Sequence, residues 1–365
     1  MNTILILIPR FGIGGISKIG SFLANTLSSD YRTILVSLVS DNITSMLSNK
    51  VIKETLSYNF DDTSISKWVR GLQKVRTVIR LRYLIKKYDV DVICTFGLDL
   101  GKIANVAGMG LQCKYLTSER GNPYRYSSKQ KQKYDQVVRN ADAVVFQTKM
   151  AQKAFANCGM ESKFYIIQNP AIGRNSDDYK KSSHNILTRE KRIVYCGRLS
   201  REKNIDMLIN AYYKLKNHEY ELIIYGDGPE YGHLLELIQM YDLSDYVSIA
   251  TGCNDVFSIE YNSEIFVLTS NEEGMPNALI EAMMCGMTCI VTDCPPGGCR
   301  ELLEDGERGI LVPVNDVNKL RDSLQLVISN RKLSEQLGNK AKDISITNSI
   351  DVIQEKWNSI IRSLV

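Results

Sequence analysis

Histidine is scarce in this chain. Its 365 residues include only His184, His218 and His233, and the first 170 residues contain none. Nine cysteines are scattered along the sequence, and no two of them form a Cys-x-x-Cys pair. A zinc site needs Cys or His ligands that converge at tight spacing. The sequence therefore predicts no metal site and no metal cofactor, and the thiols are expected to stay reduced in a reducing cytosol.

Long apolar runs are absent as well. The N-terminal run Ile4–Ile8 stops at Pro9 and Arg10 and has no positive residue before it, which is unlike the core of a secretory signal. No stretch approaches the roughly 20 apolar residues that a membrane-spanning helix needs. We therefore expect a cytoplasmic protein, and its length favours two domains.

Acidic residues are few in the first half of the chain. Residues 1–170 carry 24 Lys and Arg against 12 Asp and Glu, whereas residues 171–365 carry 21 against 29. The net charge of +4 therefore divides into +12 and −8. Such an asymmetry predicts that the first half faces an anionic partner.

The segment Ser64–Lys87 concentrates this positive charge, with eight Lys and Arg and no acidic residue. Apolar residues recur along it at helical spacing. It is either an ordinary domain helix with a basic solvent face or a helix that rests on anionic lipid at the inner face of the cell membrane. No nucleic acid partner is predicted, because the basic residues are not interleaved with a stacking platform. The apolar positions are Ile65, Trp68, Leu72, Val75, Ile79 and Tyr83.

Short apolar, β-rich runs alternate with helical patterns along almost the whole chain, which predicts parallel sheets with helices on both faces. In the first half the runs are Ile4–Ile8, Thr33–Val39, Val90–Phe96, Lys114–Thr117, Ala143–Gln147 and Phe164–Ile167. In the second half they are Arg192–Cys196, Tyr220–Tyr225, Val247–Ala250, Ile265–Thr269, Thr288–Val291 and Gly309–Val312.

The polar segment 171–190 breaks this alternation and is predicted to be a linker. It separates a domain at 1–170 from one at 191–345, and residues 346–365 form a C-terminal helix for which the first domain is a candidate packing partner. The fold class is α/β, with two facing Rossmann-like, doubly wound domains. Ligands of such sheets bind beyond the carboxyl ends of the strands, so we expect a ligand cleft between the domains.

The segment 270–282, with the sequence SNEEGMPNALIEA, follows a predicted strand and opens a helix. Gly274 and Pro276 fit a tight turn between the two. Glu273 can accept hydrogen bonds from sugar hydroxyls, and Glu281 can reach a ribose. The alternative is a capped amphipathic helix with two solvated carboxylates. Amides at the helix start would form an anion site. They belong to Met275, Asn277, Ala278 and Leu279.

The segment 197–204, with the sequence GRLSREKN, directly follows another predicted strand. Arg198 and Lys203 would neutralise a diphosphate there without a metal, both in the ground state and as a leaving group gains charge. The alternative is that they are ordinary surface cations. Asn204 is predicted to cap the following helix.

Two further glycine-containing segments follow predicted strands. Gly226–Glu230 is a strand–turn–helix signal in which a structural role outweighs ligand contact. Gly12–Gly15 supplies small residues that let the backbone approach a phosphate, although it lacks the spacing of a dinucleotide fingerprint. The pair Asp89 and Asp91 is interpreted as the solvated start of a strand rather than as a metal site.

These segments together resemble glycosyltransferase family 4, which has the two-domain GT-B architecture. The family shows a Gly-Gly loop after the first strand, then G-R-L with a following Lys, G-x-G-P, E-G-x-P and E-x7-E, and all appear here in this order. The resemblance covers nearly the full chain and is strongest over residues 192–315. The stretch Ser118–Pro123 resembles bacterial members that extend lipid-linked oligosaccharides.

The resemblance implies roles for individual residues. Arg198 and Lys203 would bind the donor diphosphate, Glu273 the donor sugar and Glu281 the ribose. Gly15 would touch the phosphates, the loop around Gly252 the base, and the turn at Gly274 and Pro276 the donor. Many relatives carry a histidine near the reacting sugar, which this first domain lacks. The residues expected on the acceptor side instead are Ser118, Glu119 and Arg120.

The implied function is that of a hexosyltransferase in surface polysaccharide synthesis. It would move a hexose or N-acetylhexosamine, with retention, from a UDP-sugar to a polyprenyl-diphosphate-linked saccharide. The protein would be peripheral on the inner face of the cell membrane and would use no cofactor. Two alternatives stay open: a UDP-sugar epimerase of the same architecture, and an inactive homologue that binds a catalytic partner.

Overall fold

The computed structural model describes residues 1–12, 14–39, 47–56, 67–173, 188–216, 218–253 and 255–365, without the side chains of 67–70 and 258. This description leaves out part of the predicted basic segment, namely Ser64, Ile65 and the side chains of Lys67, Trp68 and Arg70. His184 lies outside it as well. The chain forms two compact units. The first unit contains residues Met1–Asn169 and Asp351–Val365, and the second contains Pro170–Ile350.

The first unit is built on a sheet of seven parallel strands in the order β3-β2-β1-β4-β5-β6-β7. The strands are β1 (Thr3–Arg10), β2 (Arg32–Val39), β3 (Ile52–Thr55), β4 (Val92–Phe96), β5 (Lys114–Ser118), β6 (Ala143–Phe146) and β7 (Phe164–Ile166). The helices are α1 (Gly15–Leu27), α2 (Lys67–Tyr88), α3 (Leu98–Ala107), α4 (Ser128–Asn140) and α5 (Lys149–Lys153).

Strand β1 shows why this sheet is doubly covered. Its residues Ile4–Ile8 are all fully buried. Ile4, Ile6 and Ile8 pack into a core with α1, whereas Leu5 and Leu7 pack into a second core with α2 and α3. A strand buried on both faces carries a continuous apolar run, and such strands occur in parallel sheets.

The second unit has a sheet of six parallel strands in the order β10-β9-β8-β11-β12-β13. The strands are β8 (Glu190–Cys196), β9 (Glu221–Tyr225), β10 (Val247–Ala250), β11 (Ser263–Leu268), β12 (Thr288–Thr292) and β13 (Ile310–Val312). The helices are α6 (Ile205–Tyr213), α7 (Tyr231–Met240), α8 (Val256–Ile259), α9 (Asn277–Met284), α10 (Gly298–Leu302), α11 (Val317–Ser329), α12 (Arg331–Ala341) and α13 (Ile344–Thr347).

The last helix, α14 (Ile350–Leu364), packs against the first unit. Its Trp357 is fully buried in the core that contains β1, with its ring centroid 5.9 Å from that of Phe96. The two parallel-sheet units confirm the predicted fold class. None of the described helices is both long enough and apolar enough to cross a bilayer.

Candidate active site

The two motif-bearing loops of the second unit meet because their strands are neighbours. Strands β8 and β11 pair in parallel at the centre of the sheet. The loop 197–204 leaves the carboxyl end of β8, and the loop 269–276 leaves the carboxyl end of β11. Carboxyl ends of parallel strands lie at one edge of a sheet, so residues some 70 positions apart in sequence come together.

Lys203 and Glu273 form an ion pair at this edge, in which Lys203 Nζ donates to Glu273 Oε1. Both side chains are largely buried, with exposed fractions of 20% and 13%. Ser270 Oγ donates to the same oxygen at 2.8 Å. The Glu273 backbone N–H donates to the carbonyl of Pro295 at 3.1 Å, so the loop after β12 fixes the backbone of Glu273.

Further hydrogen bonds tie the two loops to each other. Thr269 Oγ1 donates to the carbonyl of Lys203 at 3.0 Å, and Asn271 N–H donates to the carbonyl of Glu202 at 2.8 Å. Thr292 Oγ1 donates to the carbonyl of Ser270 at 2.5 Å. No sequence motif predicts a role for these hydroxyl groups, because a Ser or Thr at the end of a strand is too common to indicate a functional site.

The prediction that Asn204 caps a helix is wrong. Asn204 stands before α6 in a left-handed conformation, with φ of 49°, and its side chain makes no capping hydrogen bond. Its Nδ2 donates instead to Asn271 Oδ1 at 3.3 Å and to Asn315 Oδ1 at 2.8 Å. The side-chain amide of Asn204 therefore links its own loop to the loops of Asn271 and Asn315, and it does not cap α6.

Arg198 differs from Lys203 because it is exposed and has no ion-pair partner in the part of the chain that the structure describes. It lies near the carboxylate of Glu202. The Ser200 hydroxyl, 2.7 Å from that carboxylate, and the neighbouring Lys203 and Arg198 hold the pKa of Glu202 below its ordinary value. Arg198 is thus a cation available to a ligand beside a cation that is already paired.

Glu281 lies on α9 and close to the end of β8. Burial, and next the Glu281 carboxylate, raise the pKa of the Cys196 thiol to about 12. Burial and then the Glu273 carboxylate likewise raise the pKa of Tyr195, the residue before it. The structure therefore brings Glu273 and Glu281 to the same strand end as Lys203 and Arg198.

The N-terminus of α9 carries no acidic residue in its first turn, and within the described residues no side-chain hydrogen bond caps it at Pro276. A helix N-terminus attracts anions through its exposed amides and its dipole. Met275, Pro276 and Leu279 are buried, whereas Asn277 and Ala278 are partly exposed. The turn before α9 is present as predicted, and the binding of an anion at this helix start stays a prediction.

Glycines let these loops approach each other closely. A Cβ on Gly226 would lie 1.9 Å from the carbonyl oxygen of Gly197, and one on Gly228 would lie 2.2 Å from that of Leu199. A Cβ on Gly298 would lie 2.0 Å from the carbonyl oxygen of Gly274. The glycine-containing segment after β9 therefore has the structural role of packing against the loop that carries Arg198.

Gly252 and Gly15 lie in different units. Gly252 has a φ of 71°, which favours glycine, and its N–H donates to Asp227 Oδ2 at 3.1 Å. Gly15 begins α1 in the first unit, after Gly12 and Gly14, both of which have positive φ. Contact between these glycines and a donor stays a prediction.

The three residues expected on the acceptor side lie at the carboxyl end of β5, and their contacts are internal to the first unit. Ser118 and Glu119 are buried. Glu119 Oε1 accepts from Gly121 N–H at 2.6 Å and from Tyr126 Oη at 2.9 Å, while burial raises its pKa. The carboxylate thereby closes the loop that follows β5.

Arg120 is held by aromatic rings. Its guanidinium lies 4.7 Å from the ring centroid of Phe96 and 5.7 Å from that of Trp357, and Nη1 donates to Asn169 Oδ1 at 2.9 Å. Burial lowers its pKa to about 10. Arg120 thus joins the ends of β4 and β5 to α14, and the acceptor-side role of all three residues stays a prediction.

Asp91 ties the amino end of β4 to β1, because its Oδ2 accepts from the N–H of Thr3 at 2.7 Å. This position is at the opposite end of the strands from the predicted sites. The interpretation of this segment as the start of a strand agrees with that location.

The GT-B architecture also consists of two doubly wound parallel-sheet units in one chain. The Anabaena protein HepE, solved in complex with UDP, superposes with a TM-score of 0.80 over 100% of both chains at 18% sequence identity. That likeness concerns the fold.

Residues 176–344, which are somewhat less than half of the chain, match the family described as glycosyl transferases group 1. This match confirms the predicted resemblance to glycosyltransferases.

Relatives include a Campylobacter jejuni N-acetylgalactosaminyltransferase that acts on N-acetylgalactosamine-N,N'-diacetylbacillosaminyl-diphospho-undecaprenol. It is 34% identical over 45% of this chain and 44% of that protein. The amylovoran biosynthesis glycosyltransferase AmsD of Erwinia amylovora is 23% identical over 99% of this chain and 100% of its own length. Unlike AmsD, three relatives that share 32% to 34% identity with the chain are covered over about half of their own length or less.

Proposed function

We propose that the protein transfers a hexose or N-acetylhexosamine from a UDP-sugar to a polyprenyl-diphosphate-linked saccharide during the synthesis of a surface polysaccharide. The anomeric configuration is retained, as the family resemblance implies. The names of the relatives support this substrate class, since one acts on a diphospho-undecaprenol saccharide and another takes part in amylovoran biosynthesis. The UDP bound to HepE supports UDP as the nucleotide.

The observation that carries the proposal is the charge arrangement at the ends of β8 and β11. Arg198 is an exposed cation without a partner in the described chain, and Lys203 lies five residues on, paired with Glu273. The start of α9 adds its dipole. A diphosphate bound to Arg198 and the helix start would compete with Glu273 for Lys203, which would release the Glu273 carboxylate to accept from a sugar hydroxyl.

The reaction then needs few chemical groups from the protein. The bond between the anomeric carbon and the β-phosphate oxygen breaks, and its electron pair leaves with UDP. A bond from the anomeric carbon to the acceptor oxygen forms, and the acceptor proton passes to the departing diphosphate. Arg198 and Lys203 stabilise the charge that develops on UDP, so the rate comes from positioning and electrostatics.

A test of this function uses a panel of UDP-sugars with a short, water-soluble saccharide diphosphate acceptor, followed by NMR of the product. The expected result is one new glycosidic bond whose anomeric configuration equals that of the donor. An isomerised, free sugar nucleotide would instead establish the epimerase. No turnover with any donor, together with unchanged UDP binding, would establish the inactive homologue.

The first unit also supports peripheral membrane docking, because α2 has two apolar faces. Leu81, Leu84 and Ile85 are buried against the sheet. A second stripe points to solvent, in which the exposed fractions lie between 56% and 62%: Leu72, Val75, Ile79 and Tyr83. An exposed apolar stripe within a basic helix is the pattern of a helix that lies in a membrane interface.

Helix α3 extends this apolar surface. Val106, in the last turn of α3, and Met109, two residues beyond its end, are also exposed. Arg82 Nη1 donates to the carbonyls of Ala107 at 2.9 Å and Met109 at 2.7 Å, which fixes the end of α3 beside α2. We define the docking face as Leu72, Val75, Ile79, Tyr83, Val106 and Met109.

A polyprenyl acceptor stays in the bilayer, because each CH₂ group buried there contributes about 0.8 kcal/mol to its transfer free energy. The protein would therefore have to meet this acceptor at the membrane surface.

A further inference from the structure

Three tyrosines follow β5 closely, and two of them make their contacts inside the first unit. The ring centroids of Tyr126 and Tyr134 lie 4.5 Å apart. Tyr126 Oη donates to Glu119 Oε1 at 2.9 Å, and Tyr134 Oη donates to Asp99 Oδ2 at 3.0 Å. Both rings and both hydroxyl groups therefore serve the fold.

Tyr124 differs from these two because its ring is left open to solvent. The side chain is 55% exposed, and over the part of the chain that the structure describes neither an aromatic ring nor a cation lies against it. Its Oη nevertheless donates to the carbonyl of Met150 at 3.0 Å, and its backbone N–H donates to Asn122 Oδ1 at 3.1 Å. The ring is thus fixed at both ends without being covered.

The loop that carries Tyr124 is ordered by its own contacts. Pro123 is buried and begins a short 3₁₀ turn, Pro123–Arg125, which Asn122 caps. Gly121 N–H donates to the buried Glu119 carboxylate at 2.6 Å. A contact surface that is already ordered loses little conformational entropy when a ligand binds, and a tyrosine has only two side-chain torsions to fix.

The position of Tyr124 is that of a ligand contact. Strands β5 and β6 pair in parallel, and the hydrogen bond from Tyr124 to Met150 joins the loop after β5 to the start of α5 after β6. Ligands of doubly wound sheets bind beyond these carboxyl ends. Ser118 and Glu119, which were predicted to meet the acceptor, are buried, whereas Tyr124 in the same loop presents an exposed ring.

An open aromatic ring of this kind suits a sugar. The face of an aromatic ring carries partial negative charge. One face of a pyranose presents C–H groups that are apolar and slightly positive, so it packs flat against such a ring. The sugar hydroxyls stay at the edge of the contact, where they can still form hydrogen bonds.

The charge around the ring favours a saccharide that carries a diphosphate. Residues 121–134 include four Lys and Arg and no acidic residue. Three of these cations are exposed: Arg125, Lys129 and Lys133. A surface of one sign raises the local concentration of ligands of the opposite sign.

We propose that Tyr124 is the platform on which a sugar ring of the acceptor saccharide stacks, and that it thereby determines how well the acceptor is bound. This inference rests on the proposed function and assigns a contact to its acceptor. Tyr124 touches no group that the proposed reaction uses on the donor side. Its loss should therefore raise the KM of the acceptor and leave the binding of UDP unchanged.

The kinetic test uses the full chain with UDP-sugar and the short, water-soluble saccharide diphosphate. Tyr124→Ala and Tyr124→Leu should each raise the KM of the acceptor by about tenfold, since both lose the aromatic face. Tyr124→Phe keeps that face and should stay within about threefold of the wild type. Tyr213→Ala, which removes a similarly exposed tyrosine from the second unit, is the control and should leave this KM unchanged.

The contrast between leucine and phenylalanine decides between stacking and ordinary apolar contact. The proposal is overturned if Tyr124→Leu binds the acceptor as well as Tyr124→Phe does, or if Tyr124→Ala has the KM of the wild type. It is overturned as well if Tyr124→Ala weakens only sedimentation with vesicles, which would make Tyr124 a membrane contact. Calorimetry with UDP and thermal unfolding verify that each variant is folded and keeps its donor site.

A second measurement needs no turnover and separates this inference from the proposed function. Saturation-transfer NMR with methyl α-N-acetylgalactosaminide and methyl α-glucoside as probes should show transfer to the C–H protons of one sugar face. This transfer should be lost in Tyr124→Ala and kept in Tyr124→Phe. Such a result without turnover of any donor would leave the sugar platform standing while the proposed function fails. Normal turnover with a wild-type KM in Tyr124→Ala would leave the function standing and overturn the platform.

Discussion

At the scale of single residues, the site depends on how Lys203, Glu273 and Arg198 share charge. In the structure, Lys203 is paired and Arg198 is not. In the proposed reaction, an incoming diphosphate would compete with Glu273 for Lys203, which a neutral ligand could not do. In the proposed reaction, the Glu273 carboxylate would therefore become available to the sugar only after the donor has bound.

Arg198→Ala should lower kcat/KM by about 100- to 1,000-fold, because it removes a cation that would bind the leaving group in the proposed reaction. Arg201→Ala, in the same loop and largely exposed, is the matched control and should stay within about twofold. Steady-state kinetics with a soluble acceptor measure both.

Because the proposed reaction needs no metal, EDTA should leave the rate unchanged. A loss of activity in EDTA that magnesium restores would contradict the proposed role of Arg198 and Lys203.

Glu273→Gln keeps the size of the side chain but removes its charge, and should lower kcat about 10- to 100-fold, since hydrogen bonds to a charged group contribute about 1.5–3 kcal/mol. Ser270→Ala should have a smaller effect of the same kind, because it only orients the carboxylate. Glu281→Gln should mainly weaken UDP binding, measured by calorimetry. Wild-type turnover by Glu273→Gln would show that the motif is structural.

At the scale of elements, the loop after β9 is as important to the site as the loops that carry its charges. Gly226→Ala would place a Cβ 1.9 Å from the carbonyl of Gly197, and must push back the loop that holds Arg198. Overpacking of this kind costs about 1–3 kcal/mol. We expect a lower Tm and weaker UDP binding, whereas Gly232→Ala on α7, with open space around it, should change neither.

Helix α14 should be needed for the stability of the first unit. Trp357→Ala removes a fully buried ring from the core of β1 and from beside Arg120, which should lower the free energy of unfolding by about 3–5 kcal/mol. Denaturant unfolding measures this loss. Val352→Ala on the exposed side of the same helix is the control, and an equal loss in both variants would contradict the packing described.

The elements that sequence reasoning missed share a physical cause. Strand β3 (Ile52–Thr55) is a short edge strand with an exposed Lys53, so it lacks the continuous apolar run of the central strands. Helix α12 (Arg331–Ala341) buries Ser334 and Gly338, which carry little apolar signal. Every strand predicted from an apolar run is present. The central strands have the clearest signal, because burial on both faces requires a continuous apolar run.

The candidate site could be predicted only in part. Arg198, Lys203, Glu273 and Glu281 stand in motifs, and strand neighbours then bring them together. Their ion pairing and the hydroxyl groups that orient Glu273 depend on side-chain geometry across 70 residues of sequence, which no local pattern encodes. The exposure of Leu72 and Ile79 on α2 could not be predicted either, because helical spacing alone does not indicate which apolar face of a helix is buried.

At the scale of the whole molecule, the charge division between residues 1–170 and 171–365 predicts an oriented association with a surface. Sedimentation with anionic vesicles should weaken steeply with salt, because exposed charges are screened over about 8–10 Å. Leu72→Ser with Val75→Ser should release the protein, whereas Met240→Ser, an exposed residue of the second unit, should not. Equal binding to neutral and anionic vesicles would contradict this orientation.

The most direct test of the proposed reaction is mass analysis of the lipid product. Vesicles that contain a polyprenyl-diphosphate-linked saccharide are incubated with UDP-sugars and either the wild type or Arg198→Ala, in EDTA. We predict that the wild type adds a single sugar to the lipid-linked saccharide and that Arg198→Ala adds almost none. An unchanged lipid in the presence of every donor, or equal product from both proteins, would contradict the account.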